Sequence, residues 1–213
     1  MILPLALLLG LTLVVAGAHA ETRVQYTLDP AQSEFVVQLF KAGVGAAFAH
    51  DHVVRATAYT GQIQVDPADP LTAVIAVEVQ AASLQMDEPA VRRQYGLTPL
   101  SEEERLEIQA TMESETQLHV AQYPTIKFRS TRIESQTEGQ YLITGELTLR
   151  GVTQSVTFPV QVEQRKDQVH GWGTLRFKQS SFGYKPYSAF LGAVKNRDEV
   201  VLHFHVVATP QTE

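Results

Sequence analysis

Over most of this chain apolar and polar side chains alternate with a period of two, and only an extended strand sends successive side chains to opposite faces. In residues 34–40, Phe35, Val37 and Leu39 share one face while Glu34, Val36 and Gln38 take the other. Ile63 and Val65 alternate with Gln62 and Gln64, and Ile75, Val77 and Val79 with Ala76, Glu78 and Gln80. Val156, Phe158, Val160 and Val162 oppose Ser155, Thr157, Gln161 and Glu163, and Leu202, Phe204 and Val206 oppose Val201, His203 and His205. Each ribbon has one greasy face and one mostly wet face, as antiparallel sheets do. Turn signals separate the ribbons: Asp66-Pro67 with Asp69-Pro70, Glu138-Gly139, Arg150-Gly151, and Gly171 with Gly173. Strands at that spacing form a sandwich or an up-and-down barrel. About eight strands close a barrel just wide enough to fill with side chains or to hold one small ligand. Periodicity does not separate those two outcomes.

Between Ser83 and Gln122 the alternation stops and charge density rises. Ser101 followed by Glu104 is a capping-box pattern, with acids at the positive end of the helix dipole. It predicts a helix from Glu102 to about Glu115, with Leu106, Ile108, Ala110 and Met112 on the apolar side. A shorter helix is expected around Pro89–Tyr95. This helical insertion, about residues 84–118, would cap one barrel end as a lid or pack on the outside.

Residues 1–20 carry no acidic or basic side chain, and an apolar run from Leu5 to Val15 leads to Ala18-His19-Ala20. The pattern predicts a secretory signal peptide cut after Ala20, hence a periplasmic or secreted protein, with an uncleaved anchor as the alternative. Residues 21–213 then form one domain with a sizeable core. The chain has no cysteine, so no disulfide holds it and no lipidated N-terminal cysteine is available. A formal net charge of −6 argues against nucleic acid and leaves no polybasic run for anionic membranes.

No G-x-S-x-G elbow, H-E-x-x-H pair or phosphate-cradling P-loop occurs, and the chain is expected not to be an enzyme. The one cluster with chemical interest is histidine. In His50-Asp51-His52 and in His203-Phe204-His205 the two rings point the same way when the chain is extended. His203 and His205 oppose the apolar parity and are expected to face solvent. For His50 and His52 either face is open. An H-x-H pair supplies at most half of a tetrahedral metal site, so hydrogen bonding at a barrel rim is the expected role, with Asp51 bonding a local backbone N–H, and no metal or cofactor is expected. Phe35, Phe128, Phe158 and Phe204 fall on apolar parities of separate strands, and Trp172, Phe177, Phe182 and Tyr184 cluster towards the C-terminus. They suit a packed core or the lining of a tunnel equally well.

Several segments together resemble the YceI-like family of lipocalin-like, polyisoprenoid-binding exported proteins. These are Tyr26-Thr27-Leu28-Asp29-Pro30 with Ser33-Glu34-Phe35, then Tyr123-Pro124-Thr125-Ile126-Lys127-Phe128-Arg129-Ser130, which is similar to the family's YPTIxFxS. Gly145-Glu146-Leu147-Thr148-Leu149-Arg150-Gly151-Val152-Thr153 resembles its GxLTLxGVT hairpin, and Ser181-Phe182-Gly183-Tyr184 and Asp198-Glu199-Val200 complete the order. The His50-Asp51-His52 segment and the long insertion mark a subgroup. The resemblance implies an all-β fold, an extended antiparallel lipocalin-like β-barrel of about eight strands with a helical excursion. It also implies a polyisoprenoid, quinone-like or other long-chain amphiphile inside, for carriage or storage. Phe35, Val37, Leu39, Ile63, Ile75, Val77, Phe128, Leu147, Phe158, Trp172, Phe177, Phe182, Tyr184 and Phe204 are the candidate lining. Membrane contact would be transient in a carrier, and an exposed strand edge would allow a homodimer. Two other readings stay open: a metal- or haem-linked protein built on His50, Asp51 and His52, and a solid-cored interaction module.

Overall fold

The alternating ribbons become the strands of one antiparallel sheet, which a computed structural model describes for residues 23–211. The expected signal segment, residues 1–20, lies outside the described residues. In chain order the elements are β1 (Val24–Leu28), β2 (Glu34–Ala42), β3 (His52–Ala56), β4 (Tyr59–Asp66), β5 (Asp69–Gln80) and β6 (Leu84–Met86). Two helices follow, α1 (Pro89–Gln94) and α2 (Glu102–Glu113). The long strands come next: β7 (Thr125–Thr137), β8 (Gln140–Leu149), β9 (Val152–Arg165), β10 (Gln168–Lys178), the short β11 (Ser188–Ala189) and β12 (Val194–Pro210).

Closure depends on β12, which is 17 residues long. One edge pairs with β11 at Val194 and Lys195 and then with β10, from Lys178↔Glu199 to Val169↔Ala208. The other edge is shared: its first part pairs with β2, and its end pairs with β1 through Leu28↔Ala208. The ring therefore runs β1-β4-β5-β7-β8-β9-β10-β12 and back to β1, an eight-stranded barrel, and β2, β3 and β6 extend the wall at one end. The step from β1 to β2 is an Asx turn, in which the Asp29 carboxylate accepts from Ala31 N–H at 2.9 Å. Closing the ring removes the open edges on which a flat sheet of this size would aggregate.

At the extended end the short β6 would be an unpaired edge on its outer side. Gln109 of α2 covers it: its Oε1 accepts from Met86 N–H and its Nε2 donates to Leu84 O, both at 2.8 Å. The amide thus acts as a neighbouring strand would. The capping box forms as expected, with Ser101 Oγ accepting from Glu104 N–H and Glu104 Oε2 accepting from Ser101 N–H at 2.8 Å. The apolar side of α2 is narrower than expected. Ile108 and Met112, four apart, pack on Val54, Leu84 and Met86, whereas Leu106 is 61 % exposed and Ala110 is also exposed. Residues two apart on a helix differ by about 200° around its axis, so that set of four could not share one face.

Two glycines let the barrel hold aromatic rings close to its wall. A Cβ on Gly145 would meet the Phe128 ring at 2.5 Å, and one on Gly173 would meet the Phe204 ring at 2.8 Å and Pro159 O at 2.5 Å. Each glycine faces a phenylalanine on the adjacent or next strand, where only a missing side chain leaves room for the ring.

Candidate functional site

The inward parities of the strands converge on a cavity of about 620 Å³. The interior is therefore not the filled core that periodicity alone allowed. Phe35, Val37 and Leu39 of β2, Ile63 of β4, Ile75 and Val77 of β5, Phe128 of β7, Leu147 of β8, Phe158 of β9, Phe177 of β10, Tyr184, and Phe204 of β12 all line it. Val79, Val54, Met86, Ile108, Met112, Ile126, Leu175 and Leu202 complete much of the apolar wall.

Trp172 and Phe182 are not part of that lining. Trp172 has the outward parity of β10, opposite His205, because Gly171, Leu175 and Phe177 take the inward positions. Phe182 sits in a 3₁₀ turn after β10, buried edge-to-face on Phe177 with ring centroids 5.5 Å apart. It supports the wall from one side chain behind. Proximity along the chain groups these two with Phe177, and parity separates them.

The polar side chains gather at one end, contributed by the segment entering β3, the start of β12, the turn before β11 and the helical insertion. His50, His52, Glu104, Glu107, Thr111, Gln117 and Asn196 line the cavity there, together with Tyr187, which is 40 % exposed. The cavity is thus amphipathic along its length, greasy in the barrel and polar at its mouth. Burial pushes the Tyr184 hydroxyl well above its usual pKa, and the Arg150 guanidinium lies 5.3 Å from its ring centroid. Tyr184 is a neutral wall residue.

His50 and His52 share the cavity side, as extended geometry requires, and Asp51 points away. The Asp51 carboxylate accepts from a backbone N–H, that of Lys41 on β2 at 2.8 Å. His52 Nδ1 lies 2.6 Å from Asp87 Oδ2. Asp87 is fully buried and also accepts from Val53 N–H at 3.1 Å and from Arg92 Nη1 at 2.6 Å. Burial would raise the Asp87 pKa, but the His52 hydrogen bond and charge, Val53 N–H and Arg92 outweigh it and hold the carboxyl below its usual range. Arg92 is itself buried and donates further to Asp51 O and Thr98 O. Asp87 and Arg92 lie in the insertion, 35 or more residues from His52, with no motif to link them. Their one sequence signal is charge beside apolar neighbours.

Among the described residues, no three His, Cys, Asp or Glu side chains come together as a metal site. His203 and His205 lie on the outer face as their parity requires, but neighbours cover them in part. The Tyr95 ring of the insertion is 5.9 Å from that of His203, and His170 stacks on His205 at 5.5 Å.

Comparison with known proteins bears on the whole barrel. A model of the YceI-like domain matches residues 26–208. A UPF0312 protein of Pseudomonas savastanoi pv. phaseolicola is 28 % identical over 186 residues, 84 % of this chain and 85 % of its own. A UPF0312 protein of Pseudomonas putida is 30 % identical over 153 residues, 72 % of this chain and 68 % of its own. Among solved structures, Burkholderia cenocepacia BcnA superposes with a TM-score of 0.65 at 22 % identity, covering 85 % of this chain and 99 % of that one. Campylobacter jejuni YCEI protein superposes at 0.52 and 17 % identity, covering 75 % and 85 %. At those identities the two structures speak for the fold alone.

Proposed function

The chain belongs to the YceI-like domain family, and on that premise we propose that it is an exported binding protein for a long-chain amphiphile, a polyisoprenoid or quinone-like lipid. The observation that carries this reading is the cavity, about 620 Å³ with an aliphatic and aromatic barrel wall and a polar mouth. That volume is in the range of about 300–1,000 Å³ common to ligand pockets. An apolar tail along the barrel would gain about 0.8 kcal/mol for each CH₂ taken from water. The head group belongs at the polar end. There Asp87 holds His52 by Nδ1, which leaves Nε2 as the ring nitrogen turned to the ligand. A ring so held presents one polar nitrogen in a fixed direction, which suits a hydroxyl-bearing or quinol-like head.

Calorimetric titration of delipidated protein with a long-chain prenol tests the proposal. Saturable binding near one per chain with a negative heat-capacity change is expected, the mark of apolar burial. Absence of saturable binding to prenol, quinone and fatty amphiphile alike would end it.

A further inference from the structure

The mouth of the cavity carries an apolar tip that packing does not explain. Val44 is 97 % exposed, Phe48 89 %, Phe190 82 % and Leu191 109 %. They come from two loops, residues 43–50 between β2 and β3 and residues 187–193 around β11, and the loops are joined. Gly45 N–H donates to Ala193 O at 2.8 Å, and Gly43, at φ +93°, has the Ala193 and Gly192 carbonyls where a Cβ would stand. Phe190 and Leu191 are consecutive non-glycine residues in the left-handed region, at φ 50° and 57°. The backbone therefore holds two large apolar side chains outward at a cost in conformational strain.

Charge marks the same place. From Phe40 to His50 and from Gly183 to Arg197 every acidic or basic side chain of the two segments is basic: Lys41, Lys185, Lys195 and Arg197. Lys185, Lys195 and Arg197 are exposed, in a chain whose formal net charge is −6. No run of the sequence is polybasic, and folding assembles the patch from separate segments. Glu104 and Glu107 of α2 line the adjoining stretch of the mouth, so the rim is basic and apolar on one side and acidic on the other. Phe48, Tyr187 and Val194 belong both to these segments and to the cavity wall. The tip is continuous with the entrance.

We propose that this rim docks on an anionic phospholipid bilayer, with Val44, Phe48, Phe190 and Leu191 entering the headgroup layer and Lys185, Lys195 and Arg197 facing lipid phosphates. Apolar insertion and attraction to anionic lipid are the two forces that hold proteins at a membrane surface. Docked this way, the cavity mouth opens onto the bilayer, and an apolar cargo would not cross water. The proposal goes beyond cargo binding and is measured without it.

The test is co-sedimentation of the purified protein with vesicles of phosphatidylcholine, with and without phosphatidylglycerol, free of any prenyl lipid. Binding to the anionic vesicles is expected, weaker by about tenfold on neutral vesicles and reduced by high salt. V44S/F48S and F190S/L191S alter exposed side chains, so they should keep the wild-type circular dichroism and lose most vesicle binding. K195Q/R197Q should lose the preference for anionic lipid. The proposal is overturned if the wild type stays in the supernatant or if the serine variants bind as the wild type does. A dimer in sedimentation velocity that F190S/L191S abolishes would also overturn it, since a second copy would then cover the tip.

Discussion

Asp87 Oδ2 lies 2.6 Å from His52 Nδ1, and through that contact the helical insertion is tied to the cavity wall. The carboxylate is fully buried, and Arg92 meets its other oxygen at 2.6 Å. One residue thus serves three tasks: it orients a cavity histidine, neutralises a buried guanidinium and joins the junction of β6 and α1 to β3.

Removing the Asp87 charge is expected to be costly. Asp87→Asn keeps a residue that tolerates the left-handed φ of 54° found there, but it leaves Arg92 buried without its counter-ion. A loss of about 3–5 kcal/mol in urea denaturation at neutral pH is expected. The double variant D87N/R92M should lose less than D87N alone. Wild-type stability in D87N would contradict the account of this pair.

Acid sensitivity should begin with the outer histidines. Burial lowers the pKa of His203, with Arg176 adding to it, and burial lowers that of His205, with His170 and Arg165 adding and Glu34 opposing. As pH falls below the ordinary histidine value of 6.5, the unfolded chain takes up protons that the folded one refuses, so stability falls with pH. The Asp87 contribution has a different window. A lowered carboxyl pKa gives stability that is complete above the ordinary value of 3.8 and is lost only below it. Melting temperatures between pH 7.5 and 5 should therefore fall in the wild type and flatten in H203Q/H205N. An unchanged slope in that variant would assign the sensitivity elsewhere.

The glycines behind the rings should resist any side chain. Gly145→Ala places a methyl group against Phe128, and a loss of about 1–3 kcal/mol is expected from overpacking, partly restored by adding F128L. Gly173→Ala should cost about as much, because a backbone carbonyl oxygen stands at each position, Arg129 O at 2.6 Å from a Cβ on Gly145 and Pro159 O at 2.5 Å from one on Gly173. Chemical denaturation of the three variants checks these losses.

Much of the barrel was legible in sequence because a strand buried on one face writes its orientation into every second residue. Phe35, Val37 and Leu39 reach the cavity wall on that rule alone. Trp172 and Phe182 were misplaced where proximity replaced parity, and Leu106 and Ala110 where a strand spacing was applied to a helix. Three features had no local signature. A core-facing valine and a cavity-facing valine have the same period, so the cavity itself was not visible. The His52–Asp87–Arg92 network and the basic, apolar rim each join segments far apart in the chain. Strand order decides such meetings, and periodicity carries no strand order.

Narrowing the cavity should separate binding from folding. Val77 lines the wall on β5 and faces open space within the barrel. Val77→Trp is expected to keep the wild-type circular dichroism while lowering bound amphiphile by roughly tenfold, because the ring occupies the path of the tail. Normal lipid loading in that variant would place the ligand outside the barrel.

The most direct measurement is mass spectrometry of an organic extract of the protein, purified without detergent from membrane-containing cells. A long-chain isoprenoid, quinone or related amphiphile is expected at close to one per chain, as is its loss from the V77W variant. An extract free of any such molecule, from protein shown to be folded, would contradict the proposed function.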